Sequence, residues 1–90
     1  MENFFSWFNG VSLTHSNIDL SDGVPVVYVL LSRHDKQFDF IFTFLPELTV
    51  IDSKGFSDDE IKYWLNYTET NMKDIWNNAV KILHKELYWR

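Results

Sequence analysis

The run Val24-Pro25-Val26-Val27-Tyr28-Val29-Leu30-Leu31 constrains this chain more than any other stretch. It is β-branched and aromatic, the composition of a strand, and Pro25 lies near its start, where a missing ladder amide is tolerated. Both faces of such a strand are apolar: Val24, Val26, Tyr28 and Leu30 oppose Val27, Val29 and Leu31. A strand of this kind is normally central, with something packed on each face. Any fold for the chain therefore has to supply two covers.

Arg33-His34-Asp35-Lys36 follows as a polar turn. Phe38-Asp39-Phe40-Ile41-Phe42-Thr43-Phe44 then alternates, with four phenylalanines on one face and Asp39, Ile41 and Thr43 on the other. Two such runs across a short polar loop make an antiparallel hairpin. Pro46-Glu47 marks the next turn, and Leu48 to Asp52 reads as a third strand. Upstream, Val11 and Leu13 suggest a short edge strand at about 11–15. An irregular connection ending at the Asp22-Gly23 turn follows it.

The first cover comes from the C-terminal third. Ser57 to Glu60 spells a capping box, with Phe56 and Ile61 at hydrophobic-staple spacing. Asp58, Asp59 and Glu60 place negative charge on the positive end of the helix dipole, which accounts for them without invoking a metal site. Apolar residues then recur at Ile61, Trp64, Leu65, Met72, Ile75, Trp76, Ala79, Val80, Leu83 and Leu87, an amphipathic stripe. A single helix over 58–88 would be about 46 Å long against about 23 Å for a seven-residue strand. Thr68-Glu69-Thr70-Asn71, rich in capping residues, is where it would break. Because the apolar phase runs through from Leu65 to Met72, a continuous or gently kinked helix is the expectation, laid over the phenylalanine face.

The second cover is less obvious. Phe4, Phe5 and Phe8 fall at helical spacing before Gly10, so a short aromatic helical turn at the N-terminus is expected. It is a candidate for capping the core or, with Trp7, for anchoring a partner, since clustered aromatics are typical of interface hot spots. The fold class that results is α+β in one domain, residues 1–90. It comprises a three- to four-stranded antiparallel meander, one face covered by the long C-terminal helix.

Composition narrows the function. The absence of cysteine removes disulfides and thiolate metal sites. The first residues lack the pattern of a signal peptide, and Val24–Leu31 is far shorter than the roughly 20 residues of a membrane helix, so a cytoplasmic location is expected. The net charge of −5 is uneven. Residues 1–60 carry ten acids against three bases and residues 61–90 three against five. An acidic front half disfavours direct contact with nucleic acid and suits docking on a basic surface.

His15, His34 and His84 occur singly, with no metal-ligand spacing, and no nucleophile or phosphate-loop motif is present. No catalytic, metal or cofactor site is expected. A nuclease or toxin would have only Arg33-His34-Lys36 or Lys81-His84-Lys85 to work with, and cations in the second set also suit a helix C-terminus. In size and charge the chain resembles immunity proteins and phage-encoded inhibitors of host defence such as anti-CRISPR proteins, which implies a non-enzymatic module that docks on a larger protein. The expected contact residues are Phe4, Phe5, Trp7, Phe8, Tyr88 and Trp89 as anchors, with Asp19, Asp22, Asp35 and Asp39 facing the basic surface. Alternatives are a homodimeric domain whose second sheet face is buried by its own copy, and a small nuclease.

Overall fold

The computed structural model describes residues 1–34 and 39–88, with side chains as far as Lys85. Five strands form one antiparallel meander in the order β1-β2-β3-β4-β5. They are β1 (Asn3–Phe8), β2 (Val11–His15), β3 (Val27–Arg33), β4 (Asp39–Leu45) and β5 (Asp52–Lys54). Two helices follow, α1 (Asp58–Thr70) and α2 (Met72–Tyr88). The α+β class and the β3–β4 hairpin are as expected; the strand count and several boundaries differ.

The N-terminal aromatic segment is a strand, not a helical turn. Phe8 pairs with Val11 across Asn9 and Gly10, whose φ angles are 50° and 76°. Two consecutive left-handed residues make the mirror-image turn whose twist matches that of the flanking strands. Helical spacing of the phenylalanines is overridden by this Asn-Gly signal. As a result β2 is an internal strand, and β1 takes the edge. At the other side, Leu48 has a φ of 60° and donates its amide to the Phe44 carbonyl at 2.7 Å. That left-handed turn delays pairing, so the last strand starts at Asp52 instead of Leu48.

The helices lie on the face opposite to the one expected. Val27, Val29 and Leu31 from β3, with Ile41 and Leu45 from β4, are fully buried, and with Val11 and Leu13 they meet Phe56, Trp64, Ile75 and Ala79. Phe40, Phe42 and Phe44 point the other way and are only half-buried. Short aliphatic chains make a shallow surface that a helix layer can approach closely, with Ala79 at the contact. Rings on that face would hold the helices off.

The C-terminal stretch is two helices, not one. Ser57 accepts the Glu60 amide at 3.2 Å while the Glu60 carboxylate accepts the Ser57 amide at 2.8 Å, closing the capping box. Toward the end of α1, Thr68 and Thr70 donate their hydroxyls to the carbonyls four residues back, a pattern that bends helices. Asn71, at φ −98° and ψ 4°, leaves the helical region, and its side-chain amide donates to the Tyr67 carbonyl at 2.9 Å. Its own carbonyl accepts the Ile75 amide, so one residue ends α1 and starts α2. Polar competition with the backbone outweighs the continuous apolar phase. Trp64 is buried and Trp76 packs against the core, as the stripe predicts, whereas Val80 is exposed.

This assignment of faces is open to a direct check. Ile41→Ala should cost about 2–5 kcal/mol in urea unfolding, and Phe42→Ala distinctly less, about 1–2 kcal/mol. The reverse order would mean that the helices cover the phenylalanines.

Candidate functional site

With both helices on one side, no layer of the described residues lies over the other face of the sheet. Register places Tyr28 opposite Phe44, Leu30 opposite Phe42 and Ser32 opposite Phe40, so these side chains share the open face. Tyr28 stacks on Phe42 with ring centroids 5.6 Å apart and 19° between planes, and leans on Phe44 at 6.4 Å. The rings shield one another along the strands, which is why they are half-buried without a cover. Asp52 pairs with Phe42 and Lys54 with Phe40, so both sit on the same face at the β5 edge.

Each end of this face has its own character. At one end Trp7 leans on the His34 ring at 4.7 Å, and His34 Nε2 lies 2.8 Å from the Ser12 hydroxyl. Trp7 is 57% exposed. At the other end Asp19 bridges to Val26. Its carboxylate accepts from the Ser21 hydroxyl at 2.6 Å and the Ser21 amide at 2.8 Å, which hold it below the usual carboxylate range and therefore charged. Asp22 is exposed in the adjoining turn.

Among the described residues, the expected contact residues do not gather into one patch. Trp7 and Asp19 lie at opposite ends of the open face, while Phe8 is on the helix side, stacked on Tyr67 at 5.4 Å with 2° between planes. Phe4 is 64% exposed at the β1 edge, and Phe5 packs against the core. Asp39 is not a surface carboxylate: it is 15% exposed and lies 3.3 Å from the Arg33 guanidinium. Asp35 and Trp89 fall outside the described residues, as does the side chain of Tyr88. Residues missed as candidates are Tyr28, Leu30, Phe40, Phe42 and Phe44. The signal for them was present in the two-sided apolar character of β3, once a single helix layer is allotted to the aliphatic face.

Among the described residues, Arg33 and His15 are both engaged within the fold. Arg33 is consumed internally: it donates to Glu60 at 2.8 Å and to the Gly55 carbonyl at 2.6 Å, and its guanidinium lies 4.1 Å over the Phe56 ring. The Glu60 hydrogen bond raises its pKa further, so it is a fixed cation. Gly55 sits at φ 83°, and a Cβ there would overlap the Asp39 carboxylate. His15 is fully buried; Nδ1 donates to the Ser16 carbonyl at 2.8 Å, and Nε2 accepts from the Asn78 amide at 2.8 Å. Both ring nitrogens are thus engaged, and the ring bolts α2 to β2. Among the described residues no three His, Asp or Glu side chains converge to hold a metal ion, and no helix is long and apolar enough to cross a membrane. Comparisons with known protein families, curated proteins and solved structures find no match to this chain.

The capping carboxylate carries a pH signature. The Ser57 amide, and then the Arg33 guanidinium, hold Glu60 below its ordinary value of 4.5. A lowered folded-state pKa adds stability above the unfolded value, and this is lost as pH falls through the folded one. Glu60→Gln should therefore melt lower than the parent at pH 7, with the gap closing below pH 4.5. Melting curves across that range with a constant gap would remove Glu60 from the acid response.

Proposed function

We propose that this protein is a non-enzymatic binding module whose open aromatic sheet face docks on a basic surface of a larger protein, as an inhibitor or immunity-type protein would. One observation carries the reading: a five-stranded sheet has both helices on one face and a band of Tyr28, Leu30, Phe40, Phe42 and Phe44 on the other. Contiguous apolar surface rimmed by polar groups marks interaction sites. The chemistry of the partner follows from the face. Guanidinium and ammonium groups are attracted to ring faces, by about 0.5–2 kcal/mol each. Asp19 and Asp52 flank the rings, and the net charge of −5 steers a basic surface toward them. A second copy laid face to face would instead bring acidic rims together, which disfavours that form of dimer.

The test is capture from the producing cell with point variants. Phe42→Ala with Phe44→Ala should remove the captured protein, and Asp52→Lys with Asp22→Lys should weaken its capture about tenfold while leaving the circular dichroism spectrum intact. Capture should also fall as salt rises, because the carboxylates lie at an exposed rim. A protein held equally by all variants would overturn the reading.

A further inference from the structure

The two edges of the sheet are built differently. β5 is three residues long and carries Asp52 and Lys54, a short charged edge of the kind that resists pairing. β1 is six residues, Asn-Phe-Phe-Ser-Trp-Phe, with no charge and no proline. Its outer side presents backbone groups that no other strand of the sheet takes up. Such an edge is a template for another strand.

Beside this edge, between β1 and α2, runs a groove of about 530 Å³. The pairing of β1 with β2 shifts between Phe4 and Ser6, and this irregularity lets the adjacent residues Phe4 and Phe5 both line the groove. The helix side presents Val80, 43% exposed, together with Asp74, Asn77 and Lys81. Asp74 and Lys81 are two turns apart on one side of α2, about 10 Å along the axis, too far to pair with each other. Neither has an ion-pair partner among the described residues. The Asn78–His15 hydrogen bond fixes the rotation of α2 that keeps this row at the groove.

We propose that two copies of this chain associate about a two-fold axis at this edge, β1 pairing antiparallel with the partner's β1 and α2 running antiparallel beside the partner's α2. A two-fold contact is self-complementary, so residue i meets residue j and j meets i. Antiparallel helices centred near Asn77 bring Asp74 to the partner's Lys81, and Lys81 to the partner's Asp74. Opposite charges placed symmetrically about a neutral centre are what such an axis requires. The uncharged strand brings no like charges together, and Phe4 and Val80 lose their exposed apolar surface. A strand of about 20 Å with one helix beside it makes a small interface, so the dimer is weak and concentration-dependent. The open aromatic faces of the two copies then lie side by side on one continuous sheet, which leaves the proposed docking face free; the inference does not rest on that proposal.

Sedimentation equilibrium from micromolar to near-millimolar protein tests this. The parent chain should dimerise, and Asp74→Lys or Lys81→Asp alone should each weaken dimerisation at least about tenfold. Phe4→Lys, which places a charge at the strand edge, should do the same. The two charge variants mixed together should recover a heterodimer, because each supplies the charge that the other lacks. A parent chain that stays monomeric throughout overturns the proposal. So does a dimer that survives both single reversals, or one lost in the Phe42→Ala, Phe44→Ala variant while Asp74→Lys leaves it unchanged.

Discussion

The structure depends on which face of one strand the helices take. β3 offers two apolar faces, and the described residues form one helical layer to cover them. The shallow face, Val27, Val29 and Leu31, continues into Leu13 and Ile41 on its neighbours, and all five are buried to within a few per cent. Helices settle there because Ile75, Ala79 and Trp64 can fit an aliphatic surface closely, and close fit is where dispersion energy is gained. The rings then go outward and the aromatic face is left open.

Arg33 ties the far end of this arrangement together. It ends β3, yet its guanidinium reaches Asp39 at the start of β4, the Gly55 carbonyl before α1 and Glu60 within the capping box. The helix start is therefore bound to the sheet as well as capped by its own residues. Removing one member of such a network strands the others, since the Arg33 side chain is only 20% exposed and its guanidinium carbon lies 4.1 Å over the Phe56 ring. Asp39, which alternation places on the face opposite the phenylalanines, belongs to this joint.

Much of the fold was legible from residue pattern, and the failures have physical causes. The β3–β4 hairpin was readable because alternation over seven residues is a strong period-two signal, and the helix start because Ser57 and Glu60 stand at capping-box spacing. The face choice was not readable from hydrophobicity, since Phe and Ile are both apolar; side-chain shape against a helix decides it. β1 was misread because Phe4, Phe5 and Phe8 imitate a helical stripe, while the Asn9-Gly10 pair carried the hairpin signal. At Asn71 the side chain's affinity for backbone carbonyls competed with an unbroken apolar phase and won. The candidate site inherits the same ambiguity. Trp7 and Phe4 stand out as aromatic surplus, whereas the pattern puts Phe40, Phe42 and Phe44 under the helix.

The junction at Asn71 gives the helical layer two separate anchorages. α1 is secured at its beginning by Arg33 and Glu60, whereas α2 is secured near its middle by Asn78 on His15. A single non-helical residue, Asn71, lies between them, so each segment is tied to the sheet on its own account, α1 to the start of β4 through Arg33 and α2 to β2 through His15. With Ile75 and Ala79 fully buried and Asn78 held by His15, α2 keeps its seat on β2 through contacts that owe nothing to the Arg33 joint.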